Sequence, residues 1–245
     1  MNQSKSNFTN EKSVPFADGA SWVGDAWEIF KLAPAPWIGL VIVFFIISVV
    51  LGLIPILGNI AFQFVYPMII GGIMYTCKSL EDNGEMSMDS LTIGFREKLK
   101  EFLILGLMYF VFALLIVGVL FLFVGGAALT GMPVPSAATP AMQMNEESLI
   151  ILLLAFCVAM FFGLLFVAAT WFAPALIVFH DLPPLQAMKE SFFACFRNFG
   201  ALFLYSIVIT IIMLVSMIPL GLGLLVSVPL LFITNYTSYK SIFEE

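Results

Sequence analysis

The sequence predicts an all-α integral membrane protein. Six transmembrane helices are expected as three parallel-repeat hairpins, with three amphipathic helices at the cytoplasmic interface. Three observations carry this. Charge is scarce: 11% of the 245 residues are charged and 61% hydrophobic, against roughly 25% and 45–50% in soluble domains. Uncharged runs near the 20 or so residues that span a bilayer as a helix recur along the chain. The ten lysines and arginines fall in four places that six crossings put on one side.

Residues 1–17 are expected to be a disordered cytoplasmic segment, because Asn, Ser, Lys and Thr dominate and Pro15 interrupts. They lack the basic start, apolar core and cleavage site of a secretory signal, so the segment is expected to be retained. Residues 18–245 then form one six-span domain. Ser21 is placed to cap a short helix in which Trp22, Ala26, Ile29 and Phe30 share a face. Pro34 and Pro36 end it. Two tryptophans, a polar face and no long apolar run make it the first interfacial helix.

Span one, 37–54, is uncharged and closes in the apolar turn 55–58. Span two, 60–77, contains Pro67 and stops at Lys78. In the next connection Met88, Leu91, Phe95, Leu99 and Phe102 align, predicting a second interfacial helix that runs straight into span three. Asp89 near its start and Arg96, Lys98 and Lys100 near its end suit the helix dipole. The uncharged run from Phe102 onward exceeds one bilayer core, so span three, 102–126, ends at Gly125-Gly126. Residues 131–147 form a long outer loop.

Span four, 148–172, carries a row of small residues, Ala155, Ala159 and Gly163, where another helix can approach. Pro174 then removes a backbone donor and breaks the helix. Asp181 is placed to cap a third interfacial helix whose first turn tolerates Pro183 and Pro184. Leu185, Met188, Phe192, Phe196 and Phe199 share its face. Span five is 201–218, a second apolar turn follows at 219–223, and span six, 224–239, contains Pro229 and stops at Lys240.

The bases set the orientation. They lie in the N-terminus (Lys5, Lys12, Lys31), the second connection (Lys78, Arg96, Lys98, Lys100), the fourth (Lys189, Arg197) and the tail (Lys240). The positive-inside rule makes that side cytoplasmic, with both termini there. Each hairpin descends through a span with a proline at or near it: Pro67, Pro174 or Pro229. In the first and third the proline stands 11 residues before the closing lysine, 67 to 78 and 229 to 240. Hairpins that all start and end inside are parallel repeats, unlike the inverted repeats of many alternating-access transporters.

Chemistry is sparse. No span interior contains Asp, Glu, Lys, Arg or His, which weighs against an ion-coupled transporter or a pump. One histidine without a Cys or carboxylate cluster builds no zinc site, and no GxSxG, HExxH or Walker loop occurs. No cofactor is expected. The acidic balance, with a net charge of −6, weighs against a nucleic-acid partner, which needs a basic patch. Cys77, Cys157 and Cys195 show no CxxC spacing and are expected to be small apolar fillers in a reducing compartment. The candidate functional or structural positions are Trp171, Phe172, Pro174, His180 and Asp181, with Pro67 and Pro229.

Trp171-Phe172-Ala173-Pro174-Ala175-Leu176, followed by His180 and by Ser191-Phe192 to Arg197-Asn198, resembles a family of uncharacterised six-span inner-membrane proteins of proteobacteria. Ile54-Pro55, Pro67, Cys77-Lys78-Ser79-Leu80 and Gly94-Phe95-Arg96 fit the same pattern, which covers residues 20–240. The resemblance implies location and architecture but no catalytic residue. The expected function is a non-enzymatic inner-membrane protein that binds membrane lipids or a membrane-protein partner through its rim helices and kinked spans. The alternative is a small permease or lipid flippase with a cavity near the span prolines. An intramembrane enzyme would have to work around His180 and Asp181.

Overall fold

The computed structural model describes residues 12–86, 88–129 and 146–244. Every regular element among them is an α-helix: α1 (Asp18–Leu32), α2 (Pro34–Gly52), α3 (Leu57–Asn83), α4 (Met88–Arg96), α5 (Leu99–Leu129), α6 (Glu146–Thr170), α7 (Ala173–His180), α8 (Pro184–Arg197), α9 (Phe199–Met217) and α10 (Leu224–Phe243). Among the described residues five helical stretches are long and apolar enough to cross a membrane: Pro34–Gly52, Leu57–Asn83, Leu99–Phe123, Leu149–His180 and Phe199–Met217. Helix α10, expected as a sixth span, is not among them. Its second half carries Thr234, Asn235, Tyr236, Thr237, Ser238 and Tyr239, and most of that half is buried inside the protein.

The chain divides into two compact units, residues 107–167 and the remainder. In the smaller, the Phe112 and Phe166 rings of α5 and α6 stack at 3.9 Å, with Tyr109 edge-on to Phe166 at 5.1 Å. The expected outer loop falls, apart from its last two residues, outside the described residues.

In the larger unit α10 packs against α1, α2, α3 and α9. The apolar face predicted on α1 exists: Trp22, Ala26, Ile29 and Phe30 are buried. It is covered by α9 and α10, not by a bilayer, which corrects the first interfacial helix. Gly19 permits this approach, since a Cβ there would overlap the Ala201 carbonyl. Ser21 lies inside α1 and donates to the Asp18 carbonyl at 2.9 Å, so it caps nothing. Of the segment expected to be disordered, residues 1–11 lie outside the described residues. The rest is tied down: Lys12 N donates to Ile242 O at 2.9 Å, Val14 N to Asn198 Oδ1 at 2.8 Å, and Asn198 Nδ2 to Lys12 O at 2.9 Å.

The second interfacial helix also differs. Helix α4 stops at Arg96 and α5 starts afresh at Leu99. Its buried side is small, Ser90 and Gly94, while Phe95 and Leu99 are exposed. Close contact with α3 selects small residues here, because a Cβ on Gly72 would meet the Leu91 carbonyl and one on Gly94 the Met68 carbonyl. Helix α8 matches its expected amphipathicity best. Ala187, Ser191, Ala194 and Cys195 are buried. Of the predicted face, Leu185, Phe196 and Phe199 (the first residue of α9) are exposed and Met188 and Phe192 are half-buried. Phe193, outside that face, is exposed.

The two apolar turns share an unusual geometry. The residue after each proline takes a positive φ, +63° at Ile56 and +54° at Leu220. For a β-branched residue such as Ile56 that conformation is strained.

Candidate functional site

The break in the fourth apolar stretch falls at Trp171-Phe172, between α6 and α7. Pro174 sits in the first turn of α7, where a missing N–H costs nothing. The freed backbone groups are satisfied from neighbouring helices. Ser191 Oγ accepts from Phe172 N at 3.0 Å and donates to Ala168 O at 2.8 Å. Asn235 Nδ2 donates to Trp171 O at 3.0 Å. Phe172 is fully buried, with its ring edge-on to Phe243 at 5.6 Å. The Trp171 ring meets Tyr205 at 5.8 Å.

Helix α7 delivers His180 to the ends of α3 and α10. There a connected set of polar side chains forms. His180 Nε2 lies 2.6 Å from Tyr239 Oη, which lies 3.3 Å from Glu244 Oε1. Lys78 Nζ stands 3.8 Å from the same carboxylate oxygen and 5.0 Å from the centre of the Phe179 ring. Beside them Tyr236 Oη donates to Glu81 Oε2 at 2.7 Å, and Lys240 Nζ pairs with both Glu81 oxygens at 3.2 Å. The pairing is reciprocal: Lys78 in α3 pairs with Glu244, the residue that follows α10, and Lys240 near the end of α10 pairs with Glu81 in α3.

Asp181 is not part of this set. It takes a left-handed conformation, φ +53°, that closes α7, and it pairs with Lys98. Pro183, not Asp181, is the N-cap of α8, so Asp181 does not cap that helix. Pro67 and Pro229 are buried within α3 and α10. Of the predicted positions the structure thus brings Trp171, Phe172 and His180 onto α10. Sequence reading missed Tyr239, Glu81, Glu244, Lys78 and Ser191. The one available signal was the matched proline-to-lysine spacing, which places Lys78 and Lys240 alike.

On the other side of Glu81 a half-open cleft of about 830 Å³ runs between α1, the end of α3 and α10. Asp18, Asp25, Glu28, Glu81 and Asp82 line it, with Lys240 as its base. Among the described residues no group of three or more His, Cys, Asp or Glu is placed to hold a metal ion. Cys195 contributes packing. Burial pushes its thiol up to about 12, against a smaller opposing effect of the Ser191 hydroxyl. At pH 8 its thiolate fraction is then on the order of 10⁻⁴. Maleimide labelling of Cys195 in the folded protein should be at least ~100-fold slower than in the denatured protein, read by peptide mass spectrometry.

No solved structure matches the chain. It is similar to a Burkholderia thailandensis protein described as "Probable inner membrane protein", 26% identical over 199 residues, which cover 77% of this chain and 71% of that one. Residues 53–241 match the family described as domain of unknown function (DUF7847). That match takes in α3 to α9 and most of α10, and on its strength the chain belongs to the DUF7847 family.

Proposed function

We propose that the chain is a six-span inner-membrane protein, with both termini in the cytoplasm, that performs no catalysis and binds lipid along the rim helix α8. The name of the Burkholderia relative supports the location. Parity supports the sixth span. The four base-bearing segments touch one another: Lys12 and Val14 contact Ile242 and Asn198, Lys98 contacts Asp181, and Lys240 contacts Glu81. Segments in such contact share one side of a membrane. Segments on one side are separated by an even number of crossings, so with five apolar helices among the described residues parity favours α10 as the sixth. Polar residues in that span face protein, where such groups belong. The bases then make the shared side cytoplasmic.

The observation that carries the lipid reading is the exposed row on α8. Phe196 of α8 and Phe199, the first residue of α9, are 55% and 67% exposed, and Phe199 stacks on Phe203, one turn along α9, at 6.1 Å. Phe203, Ile207, Ile211 and Leu214 continue the exposed apolar surface up that span. The rim face is therefore continuous with a face that meets acyl chains, and exposed Lys189 and Arg197 suit anionic headgroups. Satisfaction of the broken backbone at Trp171 from within the protein favours this reading over a permease working at the break.

The test replaces Phe193 and Phe196 with Ser and measures lipid retained through purification in a mild detergent. Retained phospholipid is expected to fall at least about threefold with the melting temperature unchanged. Equal retention would overturn the reading. Loss of a co-purifying membrane protein in place of lipid would move the assignment to a protein partner.

A further inference from the structure

Six buried side-chain nitrogen or oxygen atoms among the described residues have no hydrogen-bond partner in the protein. Scattered singly, such atoms are ordinary at a few per hundred residues. Here four of them belong to residues joined by direct contacts: Trp22 Nε1, Trp171 Nε1, Tyr205 Oη and Asn235 Oδ1. The Tyr205 ring of α9 lies 6.3 Å from the Trp22 ring of α1 and 5.8 Å from the Trp171 ring at the break. Asn235 of α10 reaches the same place, because its Nδ2 donates to the Trp171 carbonyl at 3.0 Å. That bond fixes which end of the amide is which and leaves Oδ1 an acceptor without a donor. Trp22 and Tyr205 are 1% and 3% exposed, so bulk solvent does not serve these atoms.

The nearby hydroxyls are already engaged. Thr237 Oγ1 donates to the Trp22 carbonyl at 2.9 Å, Thr234 Oγ1 to the Leu230 carbonyl at 2.6 Å, and Ser191 Oγ to the Ala168 carbonyl at 2.8 Å. Left bare in a buried site, a polar atom costs more than an average hydrogen bond contributes. The chemistry of the four atoms selects what can join them. Indole N–H groups only donate, which tells against a metal cation. The Asn235 carbonyl only accepts and none of the four side chains is charged, which tells against an anion. The site calls for a small species that both donates and accepts, and water is that species.

We propose that Trp22, Trp171, Tyr205 and Asn235 enclose an internal water site, and that water held there ties α1, α9 and α10 to the break in the fourth apolar stretch. Trp22 also belongs to the wall of the half-open cleft between α1, α3 and α10, which sets the site one residue away from solvent. At the break, Ser191 and Asn235 close the backbone, and water closes the side chains around it. The assignment depends neither on the number of spans nor on lipid at α8.

The test is radiolytic hydroxyl-radical labelling of the full-length protein in nanodiscs, read by peptide mass spectrometry. Radicals formed from bound water mark the side chains beside it even where bulk solvent is excluded. Tyr239 is the control, since it is also fully buried but its hydroxyl is engaged by His180 and Glu244. Tyr205 is expected to be oxidised at least about threefold faster than Tyr239. A second measurement uses Tyr205→Phe, which removes the hydroxyl and keeps the ring. With water on that hydroxyl, the variant's unfolding midpoint falls and labelling of Trp22 and Trp171 drops by about half or more. With no partner there, deleting the hydroxyl raises the midpoint. A Tyr205 rate less than about threefold above that of Tyr239 overturns the proposal, as does a midpoint that fails to fall in Tyr205→Phe. A small molecule found by native mass spectrometry on the unaltered protein and lost in Tyr205→Phe also overturns it, in favour of that molecule as the occupant.

Discussion

Phe172→Ala is expected to cost roughly 3–5 kcal/mol, among the largest effects of any single truncation in this chain. Phe172 is fully buried at the point where α6 breaks, and its ring packs edge-on against Phe243 at the C-terminal end of α10. Removing the ring opens a cavity at a place unable to collapse. The Phe172 backbone N–H is fixed by Ser191, and the preceding carbonyl, Trp171 O, is fixed by Asn235. Phe161→Ala in α6 is the control. That side chain is 59% exposed, and its loss should cost well under ~1 kcal/mol. The measurement is equilibrium unfolding in mixed micelles, with midpoints compared at constant slope. Equal midpoints for the two variants would show that Phe172 is not a packing centre.

The same residue shows what was legible in the sequence. The break at Trp171-Phe172 followed from one proline after a long apolar run, because a missing N–H acts locally whatever the tertiary context. The apolar faces of α1 and α8 were legible for a similar reason: helical spacing reports which residues lie together. It does not report what covers them. On α8 the large side chains stay exposed and the small ones are buried, while on α1 the large ones are buried under α9 and α10. Periodicity treats the two alike.

Asp181 shows a second limit. An Asp shortly before Pro-Pro reads equally as the start of the next helix or the end of the last, and only its positive φ decides. The ends of α3, α7 and α10 were the least legible. Tyr236 and Glu81 are 155 positions apart, and neither has a local pattern that names the other. Hydropathy does not class α10 with the five apolar stretches, because its second half carries hydroxyls and an amide.

Gly72→Ala is expected to destabilise the protein by roughly 1–3 kcal/mol, although a helical Gly→Ala change at an open site gains up to about 1 kcal/mol. The sign reverses because of what stands opposite. A Cβ at position 72 would overlap the Leu91 carbonyl, and a backbone atom has no rotamer in which to retreat. Relief requires α4 to move away from α3, and Gly94 resists that movement, since its own closest neighbour is the Met68 backbone. At Gly24 in α1 an added methyl would meet no heavy atom within 4 Å, so Gly24→Ala should be neutral or stabilising. Comparing the two unfolding midpoints separates crowding from helix propensity. If Gly72→Ala matched or exceeded wild-type stability, α3 and α4 would not cross at these glycines. The buried face of α4 would then be the large-residue side of Leu91 and Phe95 that periodicity alone suggests.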